Sequence, residues 1–286
     1  GIVNLDSLTH LSLLNNQLSG EIPGGFGNLS KLISINLGDN QLTGTIPNDI
    51  WNLDTLLTRL NLNTLHQIIN KKQNKLVLSL DVSSPITFFN ILDKVKDKLV
   101  ILKTHLDIMN FNEVNKNDFI DKLVDYKTKY NFQIMEDYKF RDIASISYRQ
   151  LINQKIDKYA DYVTCHGITG DGFFKLLKEK KSNVKVILIS EMSSKNNLIN
   201  QEYHDNIIKM AQSHRDIVKG LIVNSKSYPD FLCFKPGINL DIINDNSDQT
   251  YSGIDDMYDF YIVGRGIYQS NNVLDSFNRY ITKTSL

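Results

Sequence analysis

Residues 132–142 read FQIMEDYKFRD, which places a lysine between two carboxylates directly after an apolar run. The apolar residues predict a buried strand at Phe132–Glu136. Because side chains alternate along an extended strand, Asp137 and Lys139 are expected to leave it on the same face. Asp142 follows three residues after the lysine, far enough to serve another site or another subunit. A lysine among carboxylates stays protonated and is suited to holding an anion or delivering a proton.

A D-x-K motif by itself is more commonly a surface salt bridge, so its neighbours decide how it is interpreted. Short apolar runs recur on both sides of it, and amphipathic segments rich in Lys and Asp separate most of them. Eight strands alternating with helices over about 220 residues predict an α/β fold, a (β/α)8 TIM barrel with its active site at the C-terminal strand ends. The other seven predicted strands are Leu76–Val82, Leu99–Lys103, Tyr162–Cys165, Val184–Ser190, Gly220–Asn224, Asp230–Phe234 and Phe260–Val263.

Polar residues stand where most of these strands end, and a barrel would gather them at one site. Arg265 lies between two glycines in V-G-R-G, where the backbone can approach a phosphate while the guanidinium binds it. Loops after the seventh and eighth strands commonly hold phosphate in such barrels, which strengthens this interpretation. The strand-end residues are Asp81, Lys103, His105, Asp107, Asp137, Lys139, His166, Glu191, Ser193, Lys235, Pro236, Gly264 and Arg265.

Residues 1 to about 60 follow another pattern, which repeats every 24 residues. Inward-pointing leucines and an asparagine that satisfies loop backbone groups are typical of a leucine-rich repeat. A third repeat, Leu56–Leu62, loses register and stops. The recurring positions are Leu8, Leu13, Asn16, Leu18, Gly20, Ile22 and Pro23, which return as Leu32, Leu37, Asn40, Leu42, Gly44, Ile46 and Pro47.

The sequence therefore predicts a leucine-rich-repeat segment at residues 1–61 and a barrel at residues 62–286. Two to three repeats fall below the minimum of about three for an independent solenoid. We interpret the segment as a short structural cap or a fused remnant, although it could also offer a binding surface. The chain begins at Gly1 inside the repeat pattern, so we expect it to be trimmed or processed.

Charge and composition exclude several classes of partner. The 32 basic and 32 acidic side chains cancel, so no global charge favours nucleic acid or an anionic membrane. Only Cys165 and Cys233 occur, which is no disulfide framework and fits a reducing compartment. No apolar run is long enough to span a bilayer, and the first residues show no signal-peptide pattern. The expected localisation is cytoplasmic.

Six motifs in order give the second region a family resemblance. They are L-S-L-D-V, L-K-T-H-x-D-I, E-D-x-K-F-x-D-I, E-M-S-S-K-x-x-L-x-x-x-E-Y, P-G-I-x-L-D and I-V-G-R-G-I. The set resembles orotidine 5'-phosphate decarboxylase of the eukaryotic-type branch, over about residues 62 to 285. The resemblance implies the last step of pyrimidine synthesis, in which orotidine 5'-monophosphate loses carbon dioxide and becomes uridine 5'-monophosphate. It implies a homodimer that needs neither a metal ion nor an organic cofactor.

By this resemblance, Lys103, Asp137, Lys139 and Asp142 form the charged catalytic array. Lys139 would donate the proton to C6 of the pyrimidine, and Asp142 would reach across the dimer interface into the partner's site. The implied substrate contacts are Asp81 and His105 with the ribose, Ser193 and Pro236 with the pyrimidine, and Gln249, Tyr251, Gly264 and Arg265 with the phosphate.

The chain departs from the family pattern in a few places. Ile146 stands where many relatives carry a threonine that touches the partner's substrate, and the stretch 224–229 is shorter than in many relatives. His166 is as compatible with a structural histidine as with a ligand contact. Cys165 is expected to pack in the core, because no general base is implied beside it.

Two other readings compete with this one. A sister sugar-phosphate enzyme, of the 3-keto-gulonate 6-phosphate decarboxylase or hexulose-phosphate synthase type, would share D-x-K-x-x-D but use magnesium. Lys103 and the V-G-R-G motif argue against it. A leucine-rich-repeat interaction protein with an inactive barrel would need a damaged charged array, whereas every member of the array is present.

Overall fold

The computed structural model falls into two compact units, Gly1–Gln67 and Ile68–Leu286. The predicted boundary between residues 61 and 62 and the third repeat, Leu56–Leu62, lie outside the residues that the structure describes. The described residues are 5–13, 16–29, 31–32, 34–37, 40–43, 65, 67–225, 228, 230–241, 248–255 and 257–285.

The first unit has the parallel pairing expected of stacked repeats. Strand β1 (His10–Ser12) pairs with β3 (Ser34–Asn36), and β2 (Ser19–Glu21) pairs with β4 (Gln41–Thr43). His10 lies opposite Ser34, which is the 24-residue period expressed as strand register. Asn40 donates to the carbonyl oxygens of Leu13 (2.8 Å) and Leu37 (3.0 Å) and accepts from the Leu18 amide (3.0 Å). This side chain therefore satisfies loop backbone groups, as the repeat pattern predicts, above a small core of Leu11, Phe26, Leu29 and Leu32.

The second unit is a closed parallel barrel of eight strands, as the sequence predicts. Its strands pair in chain order around the barrel, and the last strand pairs with the first. The barrel strands are β5 (Leu76–Ser79), β6 (Ile101–Thr104), β7 (Gln133–Phe140), β8 (Tyr162–His166), β9 (Lys185–Ile189), β10 (Val218–Ile222), β11 (Leu232–Lys235) and β12 (Phe260–Val263).

These strands form because their apolar runs are buried on both faces. Every residue of β5, β6, β10, β11 and β12 is buried, the pattern expected when helices cover the outside of a parallel barrel. The main difference from prediction is β7, which continues past Glu136 to Phe140. That extension carries Asp137 and Lys139, so both belong to the strand itself.

Helices follow the strands, and side chains cap the N-termini of the four longest. Ser84 accepts from the Thr87 amide, and Asn115, Asn200 and Asn272 make the equivalent caps on three other helices. The helices are α1 (Pro85–Val95), α2 (Lys116–Tyr130), α3 (Ala144–Asn153), α4 (Ile156–Tyr159), α5 (Gly172–Glu179), α6 (Gln201–Ser213), α7 (Arg265–Tyr268) and α8 (Val273–Thr284). Within the described ranges, no helix combines the length and apolarity needed to cross a bilayer.

The N-terminal end of the barrel is closed by a short helix at residues 67–72. Lys72 donates to the carbonyl oxygens of Leu99 (2.6 Å) and Tyr130 (2.7 Å), which precede β6 and β7. Asn74 donates to the carbonyl oxygen of Lys98 at 3.1 Å. These bonds tie the helix to the segments that lead into β6 and β7, and the cavity lies at the opposite, C-terminal ends of the strands.

Candidate active site

A cavity of about 240 Å³ opens at the C-terminal ends of the barrel strands. Charged residues from β5, β6 and β7 line one end of it, and loop residues after β9, β11 and β12 line the other. Its lining consists of Ser79, Asp81, Lys103, His105, Asp137, Lys139, Ile189, Glu191, Met192, Ser193, Ile222, Pro236, Gly237, Ile238, Gln249, Tyr251, Ile262, Gly264, Arg265 and Gly266.

Asp137 is the centre of the charged end. Its Oδ2 atom lies 2.5 Å from the Lys103 Nζ and 2.8 Å from the Lys139 Nζ. The His105 Nε2 lies 3.1 Å from the same oxygen and 3.4 Å from the Lys139 Nζ. The other carboxylate oxygen, Oδ1, accepts from the Thr164 hydroxyl at 2.6 Å. One carboxylate therefore holds two ammonium groups and an imidazole in a fixed arrangement.

Asp81 extends this array towards β5. Its Oδ1 lies 3.8 Å from the Lys103 Nζ, and the Ser79 hydroxyl donates to both of its oxygens, at 2.8 and 3.0 Å. Lys103 thus stands between two carboxylates, Asp81 and Asp137. The alternation of negative and positive groups runs along three adjacent strands of the barrel.

Electrostatics keep the central pair ionised. Burial alone would raise the pKa of Asp137, but the Lys103 and Lys139 ammonium groups and the His105 hydrogen bond hold it well below its usual range. Burial would likewise lower the pKa of Lys103, and the charges of Asp137 and Asp81 raise it instead. Both side chains are nearly inaccessible, with Lys103 7% and Asp137 8% exposed. The charged end is therefore prebuilt rather than assembled from mobile surface groups.

A bulge in β7 delivers Lys139 to this array. Glu136 pairs with Val163, and Phe140 pairs with Cys165, so four steps along β7 match two along β8. Lys139 has a left-handed backbone with φ of 53°, and its amide donates to the Thr164 hydroxyl at 3.0 Å. Simple strand alternation predicts that Asp137 and Lys139 share a face; in the structure the bulge brings the two side chains together instead.

The opposite end of the cavity is a chain of hydrogen bonds between loops. Arg265 donates to the Gln249 Oε1 at 2.8 Å, and the Gln249 Nε2 donates to the Ser193 hydroxyl at 3.0 Å. The Arg265 guanidinium lies 5.5 Å from the centre of the Tyr251 ring. The Thr250 amide donates to the Ser193 carbonyl oxygen at 2.7 Å, which also joins the loops after β9 and β11. This end offers a guanidinium and neutral donors to an anion.

Two glycines shape this end. Gly237 has φ of 69°, and a Cβ there would lie 2.5 Å from the Thr250 carbonyl oxygen. Gly264 would place a Cβ 3.3 Å from the Ser79 carbonyl oxygen. Their missing side chains let the loops after β11 and β12 close on the cavity.

Comparison with known proteins identifies the family. The model of the orotidine 5'-phosphate decarboxylase / HUMPS family matches residues 74–280, which include all eight barrel strands. A curated orotidine 5'-phosphate decarboxylase from Pachysolen tannophilus is 33% identical over 220 residues, covering 71% of this chain and 81% of that protein. The chain belongs to the orotidine 5'-phosphate decarboxylase / HUMPS family.

Other relatives of the decarboxylase family agree. The uridine 5'-monophosphate synthase of Bos taurus is 32% identical over 227 residues, covering 76% of this chain and 47% of that protein. An orotidine 5'-monophosphate decarboxylase from Methanocaldococcus jannaschii, solved with the inhibitor BMP, shares the fold with a TM-score of 0.57 at 23% identity. That alignment covers 74% of this chain and 99% of the archaeal one. A leucine-rich-repeat model matches residues 7–29 and 31–53, which confirms the repeat pattern.

The structure brings together eleven of the twelve residues predicted for the decarboxylase site. They line one cavity: Asp81, Lys103, His105, Asp137, Lys139, Ser193, Pro236, Gln249, Tyr251, Gly264 and Arg265. Asp142 is outside it. This aspartate is exposed, and its carboxylate accepts from the Ile143 amide at 2.7 Å. Its predicted role across a dimer interface stays a prediction.

Sequence reasoning missed the residues that hold the charged groups in place. Thr164 lies inside β8 and Ser79 at the end of β5, and a hydroxyl in an apolar strand gives no distinctive signal. Glu191 lines the cavity but accepts hydrogen bonds from the Asn224 and Ser225 amides, which gives this strand-end residue a structural role. Cys165 is buried, and burial raises the pKa of its thiol to about 12, as suits a packing residue. The described residues contain no cluster of three or more His, Cys, Asp or Glu side chains able to hold a metal ion.

Proposed function

We propose that this protein converts orotidine 5'-monophosphate into uridine 5'-monophosphate and carbon dioxide. The names of its curated relatives support this reaction. The observation that carries the proposal is the contact of one buried carboxylate, Asp137, with two ammonium groups, Lys103 and Lys139. That arrangement suits a reaction in which negative charge moves from a carboxylate to a neighbouring carbon.

The chemistry follows from where the charges stand. The substrate carboxylate would lie beside Asp137, where two negative groups repel each other in the bound ground state. When the bond from C6 to the carboxyl carbon breaks, the electron pair stays on C6 and neutral carbon dioxide leaves. The Lys139 ammonium stabilises the developing carbanion and then transfers a proton from Nζ to C6, forming the new C–H bond. The proposed route needs no metal ion, because Lys103 and Lys139 supply the positive charge.

The rest of the cavity would position the nucleotide. Arg265, Gln249 and Tyr251 would bind the phosphate, with Gly264 donating a backbone amide. At the charged end, Asp81 and His105 would contact the ribose hydroxyls. Ser193 would bond the pyrimidine, and Pro236 would border its pocket. Binding energy from the remote phosphate would thus help to hold the reacting carboxylate against Asp137.

A homodimer is part of this proposal. Asp142 is exposed and has exposed apolar neighbours: Ile143, the next residue, is 61% exposed, and the Thr169 hydroxyl donates to the Asp142 carbonyl oxygen at 3.2 Å, which brings Ile168, 72% exposed, close to it. Exposed isoleucines around an aspartate suit a contact with a second copy, which would place Asp142 in the partner's site. Cytoplasmic localisation remains a prediction of the same kind.

The dimer has its own test. Asp142→Ala and Lys139→Ala chains are each expected to lose most of their turnover, whereas a mixture refolded together should regain it, because one site of the mixed dimer is intact. Failure of the mixture to regain turnover, with dimers present by analytical ultracentrifugation, would remove the cross-interface role of Asp142.

The reaction itself is tested by the loss of orotidine 5'-monophosphate absorbance in the presence of EDTA. Turnover is expected to survive chelation and to fall by about 10²–10⁴-fold in Lys139→Ala, the range for a lost proton donor. Lys175→Ala is a matched control, because Lys175 is an exposed lysine paired with Asp171 at 3.0 Å on the outside of the barrel. This control should retain full activity.

Two outcomes would contradict the proposal. Loss of turnover on chelation, restored by magnesium, would contradict the metal-free route and favour the magnesium-dependent sugar-phosphate type of enzyme. No turnover by a folded, dimeric wild-type chain would rule out decarboxylation of this nucleotide.

A further inference from the structure

Glu136 lies behind the charged array, immediately before Asp137 in β7. Side chains alternate along a strand, so Asp137 faces the cavity and Glu136 faces the surrounding helices. The carboxyl group of Glu136 is enclosed, with the residue only 1% exposed. It does not line the cavity and takes no part in the proposed chemistry.

Three donors converge on this carboxyl group. The Thr104 hydroxyl donates to Oε2 at 2.6 Å, and the Leu106 amide donates to Oε1 at 3.0 Å. The Tyr159 hydroxyl donates to Oε2 at 3.0 Å from helix α4. Two of the three donors, Thr104 and Leu106, are the residues on either side of His105. Glu136 is therefore hydrogen-bonded to the Thr104 side chain and to the Leu106 backbone amide, on the two sides of His105.

His105 has a demanding position at the end of β6. Its imidazole lies 3.1 Å from Asp137 and 3.4 Å from the Lys139 Nζ. The chain leaves the strand at this residue and enters a 3-10 turn at Leu106–Ile108. The direction of that turn decides where the imidazole points, and the Leu106 amide that begins it is bound to Glu136.

We propose that Glu136 is a positioning residue that holds His105 against the Asp137–Lys139 pair. The inference rests on the proposed function, since it assigns His105 to the binding of the nucleotide. Strand β7 would thus present the Asp137 carboxylate to the cavity on its inner face and the Glu136 carboxyl group, which supports the turn at His105, on its outer face. Because Thr104 follows Lys103 in β6, its hydrogen bond to Glu136 also supports the position of Lys103.

The energetics favour a positioning role over a stabilising one. Among the residues that the structure describes, the Glu136 carboxyl takes part in no ion pair within 4.0 Å, and the charges of Lys103 and Lys116 act on it from a greater distance. A buried carboxyl without a cation costs stability, and an apolar side chain would suit the surrounding core better. Against this cost, the carboxyl group accepts hydrogen bonds from three donors. Two of them, Thr104 and Leu106, flank His105 at the start of the turn.

A double-mutant cycle tests the coupling. Glu136→Ala should lower kcat/KM by about 10–100-fold, the range typical when residues that orient an active-site ligand are removed. In a His105→Ala background the same change should cost less than about threefold, because the group it positions is already absent. Glu136→Gln should retain most activity, since its amide oxygen can accept from Leu106 and the two hydroxyls can accept from its amide nitrogen.

Tyr159→Phe is the matched control within the same buried cluster. It removes one donor to Glu136 but leaves both bonds to the residues beside His105, so activity should change by less than about threefold. The inference is overturned if Glu136→Ala is equally damaging with and without His105. It is also overturned if Tyr159→Phe, with an unchanged unfolding midpoint, is as damaging as Glu136→Ala.

Backbone amide exchange separates this inference from the proposed function. Exchange at Leu106 should accelerate in Glu136→Ala and stay slow in Glu136→Gln, whatever reaction the protein catalyses. If the wild-type chain shows no turnover of the nucleotide, the proposed function fails. The exchange result then decides by itself whether Glu136 holds the turn at His105. Unchanged Leu106 exchange in Glu136→Ala would show that Glu136 does not hold the turn.

Discussion

The two ends of the cavity are built in opposite ways. The charged end stands on strands β5, β6 and β7, with Lys103 and Asp137 buried in the barrel mouth. The phosphate-binding end proposed above stands on the loop residues Gln249 and Tyr251 and on Arg265 at the start of helix α7, all of them only half-buried. Strand-borne groups keep their geometry without a ligand, whereas loop-borne groups reach theirs through side-chain contacts that a ligand can replace.

This difference separates rate from affinity. Preorganised charges lower the barrier because they need no rearrangement when the substrate charge moves. In the proposed complex, loop contacts would contribute binding energy that draws the nucleotide into the array. Variants at the charged end should therefore act mainly on kcat, and variants at the loop end mainly on KM.

The largest expected effect is that of Asp137→Asn. Removing the charge leaves Lys103 buried beside a neutral amide, so kcat should fall by about 10³-fold and the free energy of unfolding by about 3–5 kcal/mol. Steady-state kinetics and urea unfolding measure the two losses. Asp161→Asn is the control, because Asp161 pairs with Lys127 at 2.7 Å outside the cavity. Asp161→Asn should be less stable than the wild type but keep its kcat. A similar kcat for Asp137→Asn and Asp161→Asn would contradict the conclusion that the charged end sets the rate.

Arg265→Ala should show the next largest effect, at the loop end. Loss of a charge-assisted contact with the phosphate is worth about 1.5–3 kcal/mol, so KM should rise by about 10–100-fold while kcat changes little. Arg215→Ala is the matched control, since Arg215 pairs with Asp230 at 2.8 Å on the surface. A fall in kcat as large as the rise in KM would show that the loop end also sets the rate.

The outer face of β7 gives a pH-dependent prediction. Burial raises the pKa of Glu136 to about 8, from about 4.3 in an unfolded chain. Between these values the folded state binds more protons than the unfolded state, so stability should fall as pH rises from about 5 to about 8. Asp137 and Lys103 stay charged in this window, since the pKa of the first is lowered and that of the second raised.

Urea unfolding of wild type and Glu136→Gln across this pH range checks the assignment. The variant cannot ionise at this position, so its stability should lose the decline that the wild type shows. Parallel profiles for the two proteins would mean that Glu136 keeps an ordinary pKa inside the barrel.

Ser193→Ala should have the smallest effect. It removes a neutral hydroxyl that accepts from Gln249 and, in the proposed complex, would bond the pyrimidine. A neutral hydrogen bond is worth about 0.5–1.5 kcal/mol, so KM should rise by about 2–10-fold. Thr164→Val removes a hydroxyl of similar size from the strand-borne end, where it bonds Asp137. The comparison is sharpened if Thr164→Val lowers kcat and Ser193→Ala does not.

The sequence predicts the barrel well because each strand is a run of apolar residues buried on both faces. It places the end of β7 wrongly at Glu136, since the polar residues Glu136, Asp137 and Lys139 break the apolar run although they belong to the strand. It also starts β10 at Gly220 rather than Val218, because Lys219 interrupts the pattern even though it is buried.

The residues of the site also divide into those that the sequence reveals and those that it does not. Charged residues at strand ends are visible as motifs, and the family resemblance assigns them roles. Thr164 and Glu136 look like ordinary strand residues, and their partners Asp137 and Leu106 lie about 30 positions away in sequence. Contacts of this kind appear only when strands are paired in register.

The bulge in β7 has a consequence for how this protein can change over time. Lys139 has φ of 53°, a left-handed backbone that costs a residue with a side chain about 1–2 kcal/mol and glycine almost nothing. At this position Lys139→Gly should therefore be more stable than Lys139→Ala by about 1 kcal/mol, the reverse of the usual order, and thermal unfolding can measure it. If selection acted on stability alone, glycine would be favoured at this position. The lysine persists only under selection for what its side chain does, so its loss would be an early mark of a barrel that has stopped working as an enzyme.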